Sequence, residues 1–486
     1  MNVIKKIIFI LGLFSSFSVM AKDVIWIVGG GYDLKSSQAQ IEKNVIWATD
    51  AIKNAPSKNG PREINIFFSD GDDPAKDVKI WRPVDESESL LQPLAIIYDA
   101  GYENGIEYRN HKIKKVKGST IRGELELALS QSFSELKQGD RGLFVFNGHG
   151  SYDKTNTANN KIWLWDRTKL SVNDFSNLLN KVDNTVPMRF IFTQCYSGGF
   201  ERSIHPNSND TNTLVNAPRC GFFAEAADRK AEGCSSGINI DDYRDYSTYF
   251  FAALSGKTRK GEALPVDPDR NKDGEVGLYE AHLYTLAQAD STDLPRSTSE
   301  VYLERWQPWY LRWFFAGEGH GNVYAKLAND IARELRIPTD QSVQRSVISK
   351  KRRRLDRRKK KLNQEGAQLR IAMTDVRFNI RYELEQRWPE AAKSRTDNYQ
   401  QLIHNEADAV RAFIIEHDDW PKMVTGYKRY REITDEKLAI ERELTRYDKL
   451  LRMNKLARLK QQFDEHATAE QKADYQQLLG CEKLPL

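Results

Sequence analysis

The apolar positions of this chain fall into two regimes. From Asp23 to about Gly317, short runs that are apolar throughout alternate with stretches of helical periodicity. Residues 24–28 (VIWIV), 64–68 (INIFF), 142–146 (GLFVF) and 188–192 (MRFIF) predict strands, and 221–224 (GFFA) predicts a further one. Helical spacing covers residues 38–54, 121–136 and 172–179. A strand that is apolar on both faces must be covered on both. The expected architecture is therefore α/β, a mostly parallel sheet flanked by helices. Ligands in such sheets bind beyond the carboxyl ends of the strands.

Past Pro338 the pattern changes. Glycine becomes scarce, and residues 350–361 read KKRRRLDRRKKK. Ile433, Ile440, Leu444, Tyr447 and Leu451 recur at helix-face spacing with charges between them. Trp388-Pro389 and Trp420-Pro421 are expected to interrupt helices. Residues 338–486 thus read as a charged α-helical hairpin or bundle, with 318–337 as a connector.

Composition adds less than pattern does. Of the 486 residues, 29% are charged, and much of that excess lies in the helical region. The net charge of +5 is small for this length and gives no reason to expect a nucleic-acid partner. Residues 1–21 carry Lys5 and Lys6, then an apolar run, then Val19 and Ala21. That is the plan of a signal peptide cleaved before Lys22. The run is shorter than the roughly 20 apolar residues a span requires, and no later stretch is long enough. The mature chain is expected in the periplasm or outside the cell. Free thiols are unusual there. Cys220 and Cys234, close in sequence, are the expected disulfide, which leaves Cys195 and Cys481 over.

Two motifs carry the chemistry. FVFNGHGS places His149 in a glycine-flanked turn after a buried strand, and FIFTQCYSGGF places Cys195 after another. A thiolate, not a thiol, attacks a carbonyl, so a nucleophilic cysteine needs a base. His149 can be that base and can later protonate the leaving amine. The backbone N–H groups of Gly150 and Cys195 are the expected oxyanion donors.

These motifs resemble those of the clan CD cysteine peptidases, which include caspases, metacaspases, legumains and the catalytic subunit of GPI transamidase. The legumain-like family is the nearest in pattern. Its histidine motif is similar to His149-Gly150-Ser151, and its cysteine motif to Cys195-Tyr196-Ser197-Gly198. Residues 222–234, FFAEAADRKAEGC, resemble the legumain segment that follows the nucleophile. The resemblance spans residues 22–317 and is densest from Gly142 to Cys234. It implies a caspase-like sheet, a Cys–His dyad and cleavage of a peptide or protein after a selected side chain. Thr193 stands where legumain carries an acidic residue, and the basic specificity residue of legumains has no counterpart in residues 29–33. Arg229 and Glu232 are either pocket residues or surface charges.

A second motif lies at residues 269–280, DRNKDGEVGLYE. Asp269, Asn271, Asp273, the Glu275 carbonyl and Glu280 stand at the ligand positions of an EF-hand-type loop, with Gly274 at its sharp turn. A structural Ca²⁺ is expected there. The segment before it is not helical in pattern.

Other signals are weaker. Gly29-Gly30-Gly31 lacks the spacing of a phosphate loop. Asp70, Asp72 and Asp73 read as a solvated acidic loop. The aromatic stretch 306–315 reads as core or domain contact, and the basic run as a solvated helix face or one that meets an anionic surface or acidic partner. Three functions follow from these readings. The first is an exported cysteine endopeptidase with a calcium site. The others are a catalytically silent scaffold that works through its helical arm, and a transpeptidase with the same dyad.

Overall fold

The computed structural model describes residues 21–56, 62–81, 91–98, 106–207, 213–232, 244–308, 319–393 and 396–486. The segment expected to be a signal peptide lies outside these residues, Ala21 excepted. A central sheet of seven strands is built from β1 (Asp23–Gly30), β2 (Arg62–Phe68), β5 (Val116–Gly118), β6 (Arg141–Gly148), β10 (Met188–Phe192), β11 (Arg219–Phe223) and β12 (Arg296–Ser297), in the order β12-β11-β10-β6-β1-β2-β5. All neighbours are parallel except β11 and β12. β3 (Val78–Trp81) and β4 (Ile106–Arg109) form a separate hairpin-like pair. β7 (Gly150–Ser151), β8 (Lys161–Leu164) and β9 (Thr168–Ser171) form a small antiparallel sheet beside the end of β6.

Alternation along each strand decides which core it feeds. Ile25, Ile27, Leu143, Val145, Ile191 and Phe222 pack with Val45 and Ile52 of helix Ala39–Asn54 and with Phe250 of helix Tyr246–Ser255. The intervening residues Val24, Trp26, Phe144, Phe146, Phe190 and Phe192 face Leu129, Phe133, Phe175 and Leu179 of helices Arg122–Ser134 and Val172–Leu179. Both faces are therefore dry, which is why these strands read as unbroken apolar runs. Helix starts are fixed by side-chain caps. Ser171 and Asp174 form a reciprocal capping box, and Ser297 and Glu300 form another.

The C-terminal region is dominated by two long helices, Gln341–Arg387 and Trp420–His466, each of 47 residues. They run antiparallel, since Arg352 pairs with Asp448 while Arg358 pairs with Glu436 and Glu365 with Arg429. Leu362 packs with Ile433 and Ile440 between them. The first helix ends before Trp388-Pro389, and Pro421 sits in the first turn of the second. The far end of the hairpin has its own small core, in which Met373, Ile380, Val410 and Met423 meet Leu94 and Ile97 of helix Leu91–Tyr98.

The near end belongs to the α/β core. Tyr447, Leu450, Met453, Leu456 and Phe463 share one apolar cluster with strand residues Ile25 and Ile27. The final helix, Ala469–Glu482, lies against β11, and the chain end runs under the sheet. There Arg62 donates to the Leu486 carbonyl at 3.0 Å, and Arg189 donates to the Pro485 carbonyl at 2.8 Å. Among the described residues, no helix is long and apolar enough to cross a membrane.

Candidate active site

Strand register brings the two motifs together. β6 and β10 pair in parallel from Gly142↔Met188 to Phe146↔Phe192. His149 and Cys195 each stand three residues beyond that last pair, at the carboxyl edge of adjacent central strands. Gly150 lies directly against the Cys195 backbone. A Cβ added there would sit 2.0 Å from the Cys195 carbonyl oxygen and 2.7 Å from Gln194 Cγ, so only glycine fits. Below them, Thr193 Oγ1 donates to the Phe146 carbonyl at 3.0 Å and joins the strand ends. After Cys195 the chain turns sharply. Tyr196 adopts φ +61°, and its N–H donates to the Arg229 carbonyl at 2.8 Å.

His149 is half-buried and held from two sides. Its Nε2 lies 2.8 Å from the Ser36 carbonyl, and Tyr32 packs edge-on at 5.7 Å. A carbonyl only accepts, so Nε2 carries a proton and Nδ1 is left as the basic nitrogen. Burial pushes the imidazole below its ordinary value, against the Ser36 carbonyl and Asp33. The Ser36 turn is itself fixed, because Ser36 Oγ accepts the Tyr32 and Asp33 N–H groups and Asp33 pairs with Arg167.

The cysteines correct two expectations. Cys220 is bonded not to Cys234 but to Cys481, with S–S 2.02 Å and Cα atoms 5.9 Å apart. Closeness in sequence was the wrong guide, because the final helix packs on β11 from 261 residues away. Cys234 lies outside the described residues. Cys195, expected to remain a free thiol, is disulfide-bonded. It is only 4% exposed, with Sγ 3.8 Å from the Ala231 carbonyl of the segment docked through Tyr196.

That segment carries buried charge. Arg229 is partly exposed and pairs with Glu225 at 3.2 Å. Glu232 is buried and accepts from Arg442 Nε of the second long helix at 3.0 Å. Its N–H donates to Asp293 at 2.7 Å. Glu232 is thus neither a surface charge nor an open pocket residue. Arg442 lay unmarked among the many charges of the helical region.

The 269–280 loop folds as its pattern expects, with no helix before it and helix Leu278–Gln288 after it. Gly274 has φ +87° and donates its N–H to Asp269 at 3.0 Å. Asn271 and Asp273 accept from the N–H groups two residues on, at 2.8 and 2.9 Å. Glu280 reaches back to the N–H groups of Arg270 and Asn271. The donor set is therefore of the hard-oxygen kind that calcium takes. Its carboxylates accept from loop amides and are not gathered into one tight group. Among the described residues, one group of three or more His, Cys, Asp or Glu side chains has its ligand atoms all within 4.8 Å: Asp70, Asp77 and His111. Asp72 and Asp73, read together with Asp70 as a solvated acidic loop, are exposed and lie outside that group. Burial first, then the neighbouring Asp77 charge, push the Asp70 carboxyl up to about 7.

No protein-family model matches the sequence, and no curated protein matches it. Two solved structures of low similarity share 12% identity with it. One is a protein of Geobacter sulfurreducens, TM-score 0.26, covering 43% of this chain and 75% of that one. The other is Raptor of Chaetomium thermophilum, TM-score 0.30, covering 85% of this chain and 40% of that one. Likeness at this level carries no argument about fold or function.

Proposed function

We propose that this chain is an exported cysteine endopeptidase of the caspase/legumain kind, with Cys195 as nucleophile and His149 as base. The observation that carries the reading is the common level of the two residues at the carboxyl edge of β6 and β10, with Gly150 against the Cys195 carbonyl. Because Cys195 is disulfide-bonded, a thiol reductant must first free it. The thiol proton then passes to His149 Nδ1, while Nε2–H stays on the Ser36 carbonyl. The thiolate adds to the scissile carbonyl, and the Gly150 and Cys195 N–H groups receive the oxyanion. His149 protonates the departing amine, and water, deprotonated by His149, hydrolyses the thioester. Asp269, Asn271, Asp273, Glu275 and Glu280 would hold a Ca²⁺ that rigidifies the loop ahead of helix Leu278–Gln288.

The second reading is a catalytically silent scaffold, and the bonded, buried state of Cys195 favours it. A cysteine-directed active-site probe separates the two. With reductant, the peptidase reading expects labelling at Cys195 and cleavage of a peptide library. Labelling that is absent, or that ignores His149→Ala, supports the scaffold.

A further inference from the structure

We propose that Asp70, Asp77 and His111 bind a divalent transition-metal ion, zinc in the first instance. Three separate segments converge to make the group. Asp70 follows β2 in a tight turn closed by the Gly71 N–H on the Phe68 carbonyl, Asp77 precedes β3, and His111 follows β4. Their ligand atoms lie within 4.8 Å of one another. The Asp77 side chain is fully buried, and that of His111 is 5% exposed.

The charges within the group are unbalanced. Asp77 is fully engaged by His111, through the backbone N–H at 2.7 Å and ring Nδ1 at 2.9 Å. Asp70 Oδ1 is sealed from solvent and has no hydrogen-bond donor. A carboxylate oxygen placed so loses its water without a substitute. The nearby Glu42 is itself paired with Arg109, and among the described residues Asp70 has no ion-pair partner from lysine or arginine. A bound cation gives the Asp70 oxygen the partner it lacks and shares Asp77 with His111. Phe68 packs on the His111 ring at 5.5 Å and fixes its plane.

The donor set selects the ion. Calcium and magnesium take six or more oxygens, whereas one imidazole with two carboxylates suits zinc and its first-row neighbours. Three protein ligands leave one coordination position to water. The position is also connected to the dyad. Ser69 Oγ lies 2.9 Å from Ser37 Oγ, and Ser37 follows the residue whose carbonyl holds His149.

The test uses the untagged mature chain with its disulfides intact, stripped by chelator and kept in excess Ca²⁺ so that the 269–280 loop does not report. Co²⁺ titration should give visible ligand-field bands that saturate at one ion per chain, and Zn²⁺ should abolish them. Asp70→Asn and His111→Gln should each weaken Zn²⁺ binding at least tenfold, and the metal-free Asp70→Asn protein should melt near the wild-type temperature. Should Co²⁺ give no stoichiometric band, or should both variants bind as the parent does, the site is a carboxyl pair sharing a proton and the proposal is wrong.

Discussion

Arg442, on the second long helix, donates from Nε to Glu232 at 3.0 Å, and Glu232 belongs to the segment that follows the candidate nucleophile. The helical region is thereby wired to the edge of the site. Removing one partner of a buried pair leaves the other charge uncompensated, typically at about 3–5 kcal/mol. Arg442→Met should lower stability by that order in chemical denaturation. Glu232→Gln with Arg442→Met should recover part of the loss. A single variant as stable as the parent would show that the pair does not hold the helix.

The Cys220–Cys481 bond closes a loop of 261 residues, from β11 to the final helix. Cross-links of long loops are worth roughly 4–5 kcal/mol in the chain-entropy account, and less where the native geometry is strained. Cys481→Ser should lower the melting temperature by several degrees. Peptide mapping without reductant should recover the 220–481 linked peptide. A 220–234 linkage would contradict the structure.

The central sheet was legible in the sequence because both of its faces are dry, which leaves strands such as 142–146 and 188–192 as unbroken apolar runs. That His149 and Cys195 lie at the same level was legible because each follows an unbroken apolar strand by the same number of residues. What stayed hidden depends on packing at long range. Cys481 reaches β11 only through the final helix. Arg442 and Arg452 look like solvated charges until Glu232 and Glu300 are seen buried beneath them. Asp77 and His111 flank the two strands of a small antiparallel pair, one before β3 and one after β4, and show no ligand spacing in the sequence.

Glu300 gives an acid-stability prediction. Burial raises its pKa, but Arg452 at 2.9 Å and His282 outweigh burial and hold it down to about 2. A depressed carboxyl contributes stability that is full above its unfolded value and is lost as pH falls toward the folded one. The loss should run from about pH 5 to about pH 2 and be on the order of 3 kcal/mol. Urea midpoints measured across that window should fall in the parent. Glu300→Gln should flatten the pH dependence, and an unchanged slope would contradict the assignment.

Calcium binding should raise the melting temperature, because a ligand held only by the folded state stabilises it. Asp269→Ala and Glu280→Gln should each remove that rise. A chelator that leaves melting unchanged would mean that the loop is held by its own amides alone.

The dyad is tested most directly by kcat/KM for peptide hydrolysis by the reduced chain as a function of pH, beside Cys195→Ala and His149→Ala. The parent should be active only with reductant. Its acid limb should lie below the ordinary imidazole value, because burial keeps His149 neutral to lower pH. Both variants should lose at least a thousandfold while melting near the parent temperature. Hydrolysis that persists in Cys195→Ala, or a reduced parent that cleaves nothing, would contradict the peptidase account.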